Sequence, residues 1–208
     1  MRGADWFRHI NDDVVRQSNV ALRVDDGRNH LLLSGREYDV ITADIIQPIH
    51  AGAGSLYSVE YFNLARNALR PGGLMLQWIG LREPSHYKLI ARTFLEVFPH
   101  ATAWVDGSLL VGSLTPLQVR REDIARKLAD PDVRRAVSSV GITDVESVLR
   151  LYTAGPDEIR RFIGDGPRLT DDLPLLEYHR SLPRDSGTID VSSLRGDVAR
   201  ILPAARLQ

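Results

Sequence analysis

The stretch VDDGRNHLLLSGREYDVITADIIQPIHAGAGSLYSVEYFNLARNALRPGGLMLQW, residues 24–78, decides the fold. It contains an apolar, β-rich segment at residues 38–46, a helical pattern at residues 57–69 and a second apolar segment at residues 74–79. Strands that alternate with helices through short connections predict an α/β protein with a doubly wound, mostly parallel sheet. The strand at residues 38–46 is mostly apolar and is therefore expected to be covered on both faces.

The segments on either side extend this pattern. A short strand is predicted at residues 20–24 and an amphipathic helix at residues 85–98. Asp-Gly at positions 106–107 lies between two β-rich runs, which predicts a hairpin with an antiparallel last strand. The residues up to 115 therefore read as one α/β domain.

The chain changes character from residue 116 onward. Helices are predicted at residues 121–129, 133–140, 145–152 and 157–163, with a last one near 194–202. Arginines on these helices alternate with acidic residues and have no aromatic residues among them, which indicates a solvated surface and no nucleic-acid site. We expect two parts: an α/β domain at residues 1–115, and a mostly helical extension at residues 116–208 that packs on it.

The composition excludes several classes of protein. The chain has 208 residues, of which 43% are apolar and 25% charged, as in ordinary globular domains. Its 26 basic and 27 acidic side chains nearly balance, so no overall field attracts nucleic acid or an anionic membrane. The lack of cysteine excludes zinc-thiolate sites and cysteine nucleophiles, and it is compatible with a reducing cytoplasm. No apolar run reaches the roughly 18 residues that span a bilayer. A soluble, cytoplasmic protein with a local binding pocket is expected.

Familiar cofactor and nucleophile motifs are absent from the sequence. It contains no Gly-x-Gly-x-x-Gly fingerprint, no phosphate loop ending in Gly-Lys-Ser/Thr and no Gly-x-Ser-x-Gly elbow. The six histidines show no metal-ligand spacing. Hydride transfer, phosphoryl transfer and serine hydrolysis therefore lose support, and no metal site is expected.

Three polar residues end predicted strands, where open α/β sheets bind their ligands. Asp26 precedes Gly27, whose small size lets a flat ligand approach the backbone, although the same aspartate could simply cap the next helix. Asp44 follows an apolar run and would be partly removed from water, which suits a proton acceptor; it could equally cap a helix or bind loop backbone. Gln77 interrupts an apolar strand, where an amide needs a hydrogen-bond partner; the alternative to a site residue is a core glutamine whose hydrogen bonds are satisfied within the protein.

Together these residues resemble the spermidine synthase (polyamine aminopropyltransferase) family. The shared pattern is an acidic Asp-Gly turn, a Tyr-Asp-Val-Ile strand ending in Asp, a proline-containing loop, a Leu-Tyr-Ser-x-Glu-Tyr-Phe helix, and a Pro-Gly-Gly turn before a strand with Gln. TDDLPLLEY, residues 170–178, is similar to a segment of larger bacterial spermidine synthase-like proteins, some of which carry membrane-spanning segments.

The resemblance implies a Rossmann-like class I S-adenosylmethionine-dependent transferase fold, incomplete at its N-terminus. It implies aminopropyl transfer from decarboxylated S-adenosylmethionine, a co-substrate and not a tightly bound cofactor, to a diamine such as putrescine. Asp44 would then be the catalytic base, Asp26 and Gly27 would hold the adenine, and Gln77 would position the acceptor amine. The implied partner is a small diamine. The resemblance is also compatible with a homo-oligomer.

Two departures from the family pattern leave an alternative open. The substrate-binding position before Pro48 is usually acidic in the family but is Gln47 here, which weakens the hold on a diammonium substrate. The family's glycine-rich loop and N-terminal β-domain have no counterpart, so an N-terminal segment or a partner chain would complete the sheet. The alternative function is a catalytically incomplete module that acts as a partner or scaffold subunit, and methyl transfer on the same fold is a third hypothesis.

Overall fold

The computed structural model describes residues 2–44, 50, 52–80, 83–178 and 189–203. Contacts between Cα atoms divide the chain into two compact units, Met1–Ser34 and Gly35–Gln208. The first unit is small and helical, with 3₁₀ turns at Arg2–Phe7 and Val14–Arg16 and two α-helices, α1 (Arg8–Asn11) and α2 (Gly27–Leu33).

The strand predicted at residues 20–24 is wrong. These residues are in an irregular conformation, and Val24 is 86% exposed. A strand must pair its backbone N–H and C=O groups with a neighbour. The described part of this unit, residues 2–34, contains no strand with which residues 20–24 could pair. An apolar alternation alone was therefore not enough to form one.

The second unit contains a mixed sheet flanked by helices. Its described strands are β1 (Tyr38–Ala43), β2 (Leu69–Trp78), β3 (Thr102–Trp104), β4 (Leu109–Gly112) and β5 (Tyr152–Ala154), in the order β1-β2-β4-β3-β5. Helix α3 (Val59–Asn67) connects β1 to β2, and α4 (Pro84–Val97) connects β2 to β3. The predicted α/β fold class and the hairpin of β3 and β4 are confirmed. Among the described strands the sheet is not mostly parallel, because β1 and β2 pair in parallel, whereas β2–β4, β3–β4 and β3–β5 pair antiparallel.

Strand β1 is shorter and more exposed than its apolar sequence predicts. It ends at Ala43, Val40 is 53% exposed, and of its six residues only Ala43 is buried. The expectation that it is covered on both faces is wrong, since its other five residues are all at least partly exposed. Strand β1 also lies at the edge of the described sheet, with β2 as its one strand neighbour there.

The Pro-Gly-Gly sequence lies inside β2 and does not form a separate turn. The partners of β1 shift from Tyr38 with Leu69 to Val40 with Leu74, so residues 71–73 form a bulge in the ladder. Glycine is suited to this place because Gly72 has a φ of +80°. Beyond the bulge the pairing is regular, from Val40 with Leu74 to Ala43 with Gln77.

The core of the second unit forms where α4 covers the sheet. Phe94 on α4 contacts Phe62 on α3 and Phe98 at the C-terminal end of α4, with 5.0 Å between ring centroids in both pairs. All three rings are fully buried. The strand face beneath them must be flat, and Gly112 of β4 meets this condition, since a Cβ there would lie 2.7 Å from atoms of Phe94 and Phe98.

The C-terminal part contributes to the sheet as well as adding helices. Its helices are α5 (Arg121–Ala129), α6 (Pro131–Ser138), α7 (Val145–Leu149) and α8 (Pro156–Ile163), followed by 3₁₀ turns at Val191–Leu194 and Val198–Ile201. The helix predicted to reach residue 152 ends at Leu149, and Tyr152–Ala154 form the buried strand β5, since aromatic and β-branched residues favour strands. The helix predicted near residues 194–202 is replaced by the two 3₁₀ turns. No helix in the described part is long and apolar enough to cross a membrane.

We expect Gly112→Ala to lower the free energy of unfolding by about 1–3 kcal/mol, because the new methyl group collides with two rigid rings in a packed core. Thermal or denaturant unfolding measures the loss. Gly80→Ala is the matched control, since its Cβ would meet a single atom, Nε1 of Trp78, at 3.6 Å. Equal stability of the two variants would contradict this account of the core.

Candidate functional site

Two of the predicted site residues lie at the carboxyl ends of β1 and β2, on the same edge of the sheet. In the parallel ladder, Ala43 is the partner of Gln77. Asp44 follows Ala43 directly, so its carboxylate belongs to the same edge of the sheet as the amide of Gln77. This is the edge where α/β proteins bind ligands.

Gln77 is fully buried and only half satisfied. Its Nε2 donates hydrogen bonds to the backbone oxygens of Ala43, at 3.4 Å, and Trp78, at 3.1 Å. Backbone oxygens only accept, so they fix the amide with its nitrogen towards them and its Oε1 away. This Oε1 is buried and accepts no hydrogen bond from the described residues. The structure therefore does not show a core glutamine with all its hydrogen bonds satisfied. The Oε1 of Gln77 can still accept a hydrogen bond from an N–H group of a ligand.

Asp44 is exposed, so the predicted partial removal from water is not seen. The reason is that β1 ends one residue earlier at the edge of the described sheet. The negative charge of Asp44 nevertheless affects the pKa of a buried side chain, Tyr57. Burial, followed by the negative charge of Asp44 and a smaller contribution from Tyr61, raises the pKa of Tyr57 to about 12, so that its phenol stays protonated at neutral pH.

Tyr57 owes its position to the start of α3. It is 1% exposed and precedes Ser58, the N-cap residue, whose Oγ accepts from the N–H of Tyr61 at 3.2 Å. The same hydroxyl donates to Oδ1 of Asp171 at 2.7 Å. Sequence reasoning treated this part of the chain as a helix only and missed the tyrosine, although an aromatic residue just before a Ser cap is a visible signal.

The remaining predicted residues are placed differently. Asp26 lies in the first unit and caps α2, where its Oδ1 accepts from the N–H of Asn29 at 2.8 Å, and Gly27 is the first residue of that helix. The helix-cap interpretation of Asp26 is therefore what the structure shows, and adenine binding by Asp26 and Gly27 stays a prediction. Gln47 lies outside the described residues.

A cavity of about 610 Å³ opens where β2 ends. Its lining includes Trp78, Ile79 and Gly80 from the strand end, and Asp106 and Gly107 from the β3–β4 turn. The turn is held there because the N–H of Ile79 donates to the oxygen of Ser108 at 2.7 Å. The sequence marked Asp106 only as a turn residue, since the antiparallel insertion of β4 beside β2 was not foreseen.

Comparison with known proteins gives a consistent picture. Residues 5–87 match the family described as the spermine/spermidine synthase domain. The chain is 30% identical to a polyamine aminopropyltransferase of Aeropyrum pernix over 104 residues, which are 48% of this chain and 32% of that protein. A polyamine aminopropyltransferase of Nitrosomonas europaea is 22% identical over 196 residues, covering 88% of this chain and 58% of that protein. The chain thus spans about a third to three-fifths of these relatives.

A solved structure shares the fold. A protein described as a probable spermidine synthase from Corynebacterium glutamicum superposes with a TM-score of 0.52 at 22% identity, over 82% of this chain and 61% of that one. At this identity the match shows the fold alone, a Rossmann-like α/β arrangement. The predicted resemblance is confirmed: residues 5–87 match the spermine/spermidine synthase domain, and the two relatives named above are polyamine aminopropyltransferases.

Proposed function

We propose that this chain takes part in aminopropyl transfer from decarboxylated S-adenosylmethionine to a diamine such as putrescine, giving spermidine. The relatives named polyamine aminopropyltransferases support the reaction class. The observation that carries the proposal is the buried Oε1 of Gln77, which lacks a donor among the described residues and belongs to the edge of the sheet where Asp44 follows β1. An unpaired buried acceptor costs about 1–3 kcal/mol, so a donor supplied by a ligand would remove that cost.

The chemistry needs a group that removes a proton from the acceptor. A diamine is protonated in neutral water, and a protonated amine has no lone pair with which to attack. Asp44 would bind the ammonium and take one proton. The free amine then attacks the methylene carbon bonded to the sulfonium sulfur: a C–N bond forms, the C–S bond breaks, and its electrons neutralise the sulfur of the departing methylthioadenosine. Because Asp44 is exposed, it can pass the proton to water afterwards.

Gln77 and Tyr57 would position the amine without competing for its proton. The amide oxygen of Gln77 accepts an N–H bond but stays neutral, so the proton goes to the carboxylate. The phenol of Tyr57 keeps its proton because its pKa is about 12. Asp44 would therefore be the single charged group among these three, which suits a site for a cationic amine.

A second candidate is the catalytically incomplete module that acts as a partner or scaffold. It is favoured by the outer edge of β1, which has no neighbouring strand among the described residues. Such an edge is a template for one more strand. This function requires no turnover, so a direct assay separates the two candidates.

The protein, incubated with decarboxylated S-adenosylmethionine and putrescine, is expected to yield spermidine and methylthioadenosine. Asp44→Asn should lower kcat about 10²- to 10⁴-fold, because the amide cannot take the proton. Asp39→Asn is the control, since Asp39 lies at the start of β1 and pairs with Arg70 at 2.8 Å. A rate unchanged by Asp44→Asn rules out the assigned base, and no turnover by the unaltered protein favours the module.

The same pair of variants has a readout that does not need turnover. The negative charge of Asp44 raises the pKa of Tyr57, so its removal should lower that pKa, while burial still keeps it above the ordinary value of about 10. NMR titration of the tyrosine ¹³Cζ resonance measures the change. We expect a decrease in Asp44→Asn and none in Asp39→Asn; equal titration in both variants would show that Asp44 does not face Tyr57.

Gln77→Leu distinguishes a ligand-binding glutamine from a structural one. Leucine has no unpaired oxygen but also loses the two bonds of Nε2, so the free energy of unfolding should change by less than about 1 kcal/mol. Putrescine binding, measured by calorimetry, should weaken about tenfold with the lost N–H acceptor. A large loss of stability with unchanged binding would mean that Gln77 serves the core alone.

A further inference from the structure

Residues 52–58, which lie between β1 and α3, are called the 52–58 turn. Glu177 holds this turn, although it is more than a hundred residues away in the sequence. Its Oε1 accepts hydrogen bonds from the N–H of Gly52 and the N–H of Gly54, both at 3.1 Å. Bonds from backbone N–H groups to a carboxylate are charge-assisted and stronger than neutral ones. One carboxylate oxygen therefore fixes two backbone positions of the turn.

The two glycines fit this arrangement for different reasons. Gly52 has a φ of +82°, a conformation that side chains disfavour. A Cβ on Gly54 would lie 2.8 Å from the same Oε1 of Glu177, so a side chain there would push the carboxylate away. The turn thus combines backbone freedom with close approach of a distant carboxylate.

The segment that carries Glu177, residues 169–178, also holds the start of α3. The oxygen of Leu169 accepts from the N–H of Val59 at 2.9 Å, and Asp171 accepts from the hydroxyl of Ser58 at 2.7 Å. The segment itself is anchored by Leu169 and Leu176, which are fully buried. Its contacts fall on both sides of Tyr57, the residue whose pKa the negative charge of Asp44 helps to raise.

We propose that Glu177 is a positioning residue that fixes the 52–58 turn and thereby keeps Tyr57 in place beside Asp44. The link to substrate rests on the proposed function, whereas the link to the turn does not. A glycine-containing turn without this carboxylate has many backbone conformations, and only some of them place Tyr57 correctly. The C-terminal part of the chain thus sets the geometry at the end of β1.

The test compares Glu177→Ala and Gly54→Ala with Asp172→Asn, an exposed carboxylate of the same segment that has no bond to the turn. Amide hydrogen exchange of residues 52–58 and the Kd for putrescine are measured on each. In the first two variants exchange should rise about tenfold and the Kd should rise about tenfold, the effect of losing charge-assisted bonds. Asp172→Asn should change neither.

A double variant separates the clash from other effects of the new methyl group. Gly54→Ala acts by displacing the carboxylate, so in the Glu177→Ala background it should add no further exchange. An additional rise there would show that the two residues act independently and would overturn the proposal. Glu177→Gln, which keeps the shape and removes the charge, replaces Glu177→Ala if circular dichroism shows that the latter is unfolded.

The two readouts identify which claim fails. Unchanged exchange in Glu177→Ala overturns the positioning role. A rise in exchange with an unchanged Kd overturns the link between the turn and the ligand. Absence of putrescine binding by the unaltered protein contradicts the proposed function instead, and exchange alone then supports or overturns the hold of Glu177 on the turn.

Discussion

The parallel pairing of β1 with β2 is the constraint on which the candidate site depends. It makes Ala43 the partner of Gln77 and so brings Asp44 to the edge where that amide lies. Side chains alternate between the faces of a strand, so a slip of one residue would turn Gln77 away from its present surroundings. The bulge at residues 71–73 lies at the other end of β2, which leaves the ladder regular where the register matters.

The site is also tied to residues far away in the sequence. Backbone groups on both sides of Tyr57 bind the segment of residues 169–178. Gly52 and Gly54, which precede Tyr57, donate to Glu177, and Val59, which follows it, donates to Leu169. Strand β5 adds a further link, because it pairs with β3. The part of the chain that looked like a helical extension therefore shapes the sheet and the turn that borders the site.

Local patterns predicted the fold well where they were long and periodic. Helices α3 and α4 and the β3–β4 hairpin follow from apolar spacing and from turn chemistry, both of which act over neighbouring residues. The predicted strand at 20–24 and the missed strand β5 depend on whether a partner strand is present, which no local pattern encodes. The placement of Gln77 and Asp44 could be read from strand ends, but the exposure of Asp44 and the contribution of Tyr57 and Glu177 follow from tertiary contacts.

The central claim is that the Oε1 of Gln77, which has no donor among the described residues, accepts a hydrogen bond from an amine. The most direct measurement follows the NMR chemical shifts of the side-chain ¹³Cδ and ¹⁵Nε2 of Gln77 during titration with putrescine. 1,4-Butanediol is the uncharged control. We predict a saturable shift of the ¹³Cδ resonance with putrescine and none with the diol. A Gln77 signal that stays unchanged while putrescine binds elsewhere on the protein would contradict the claim.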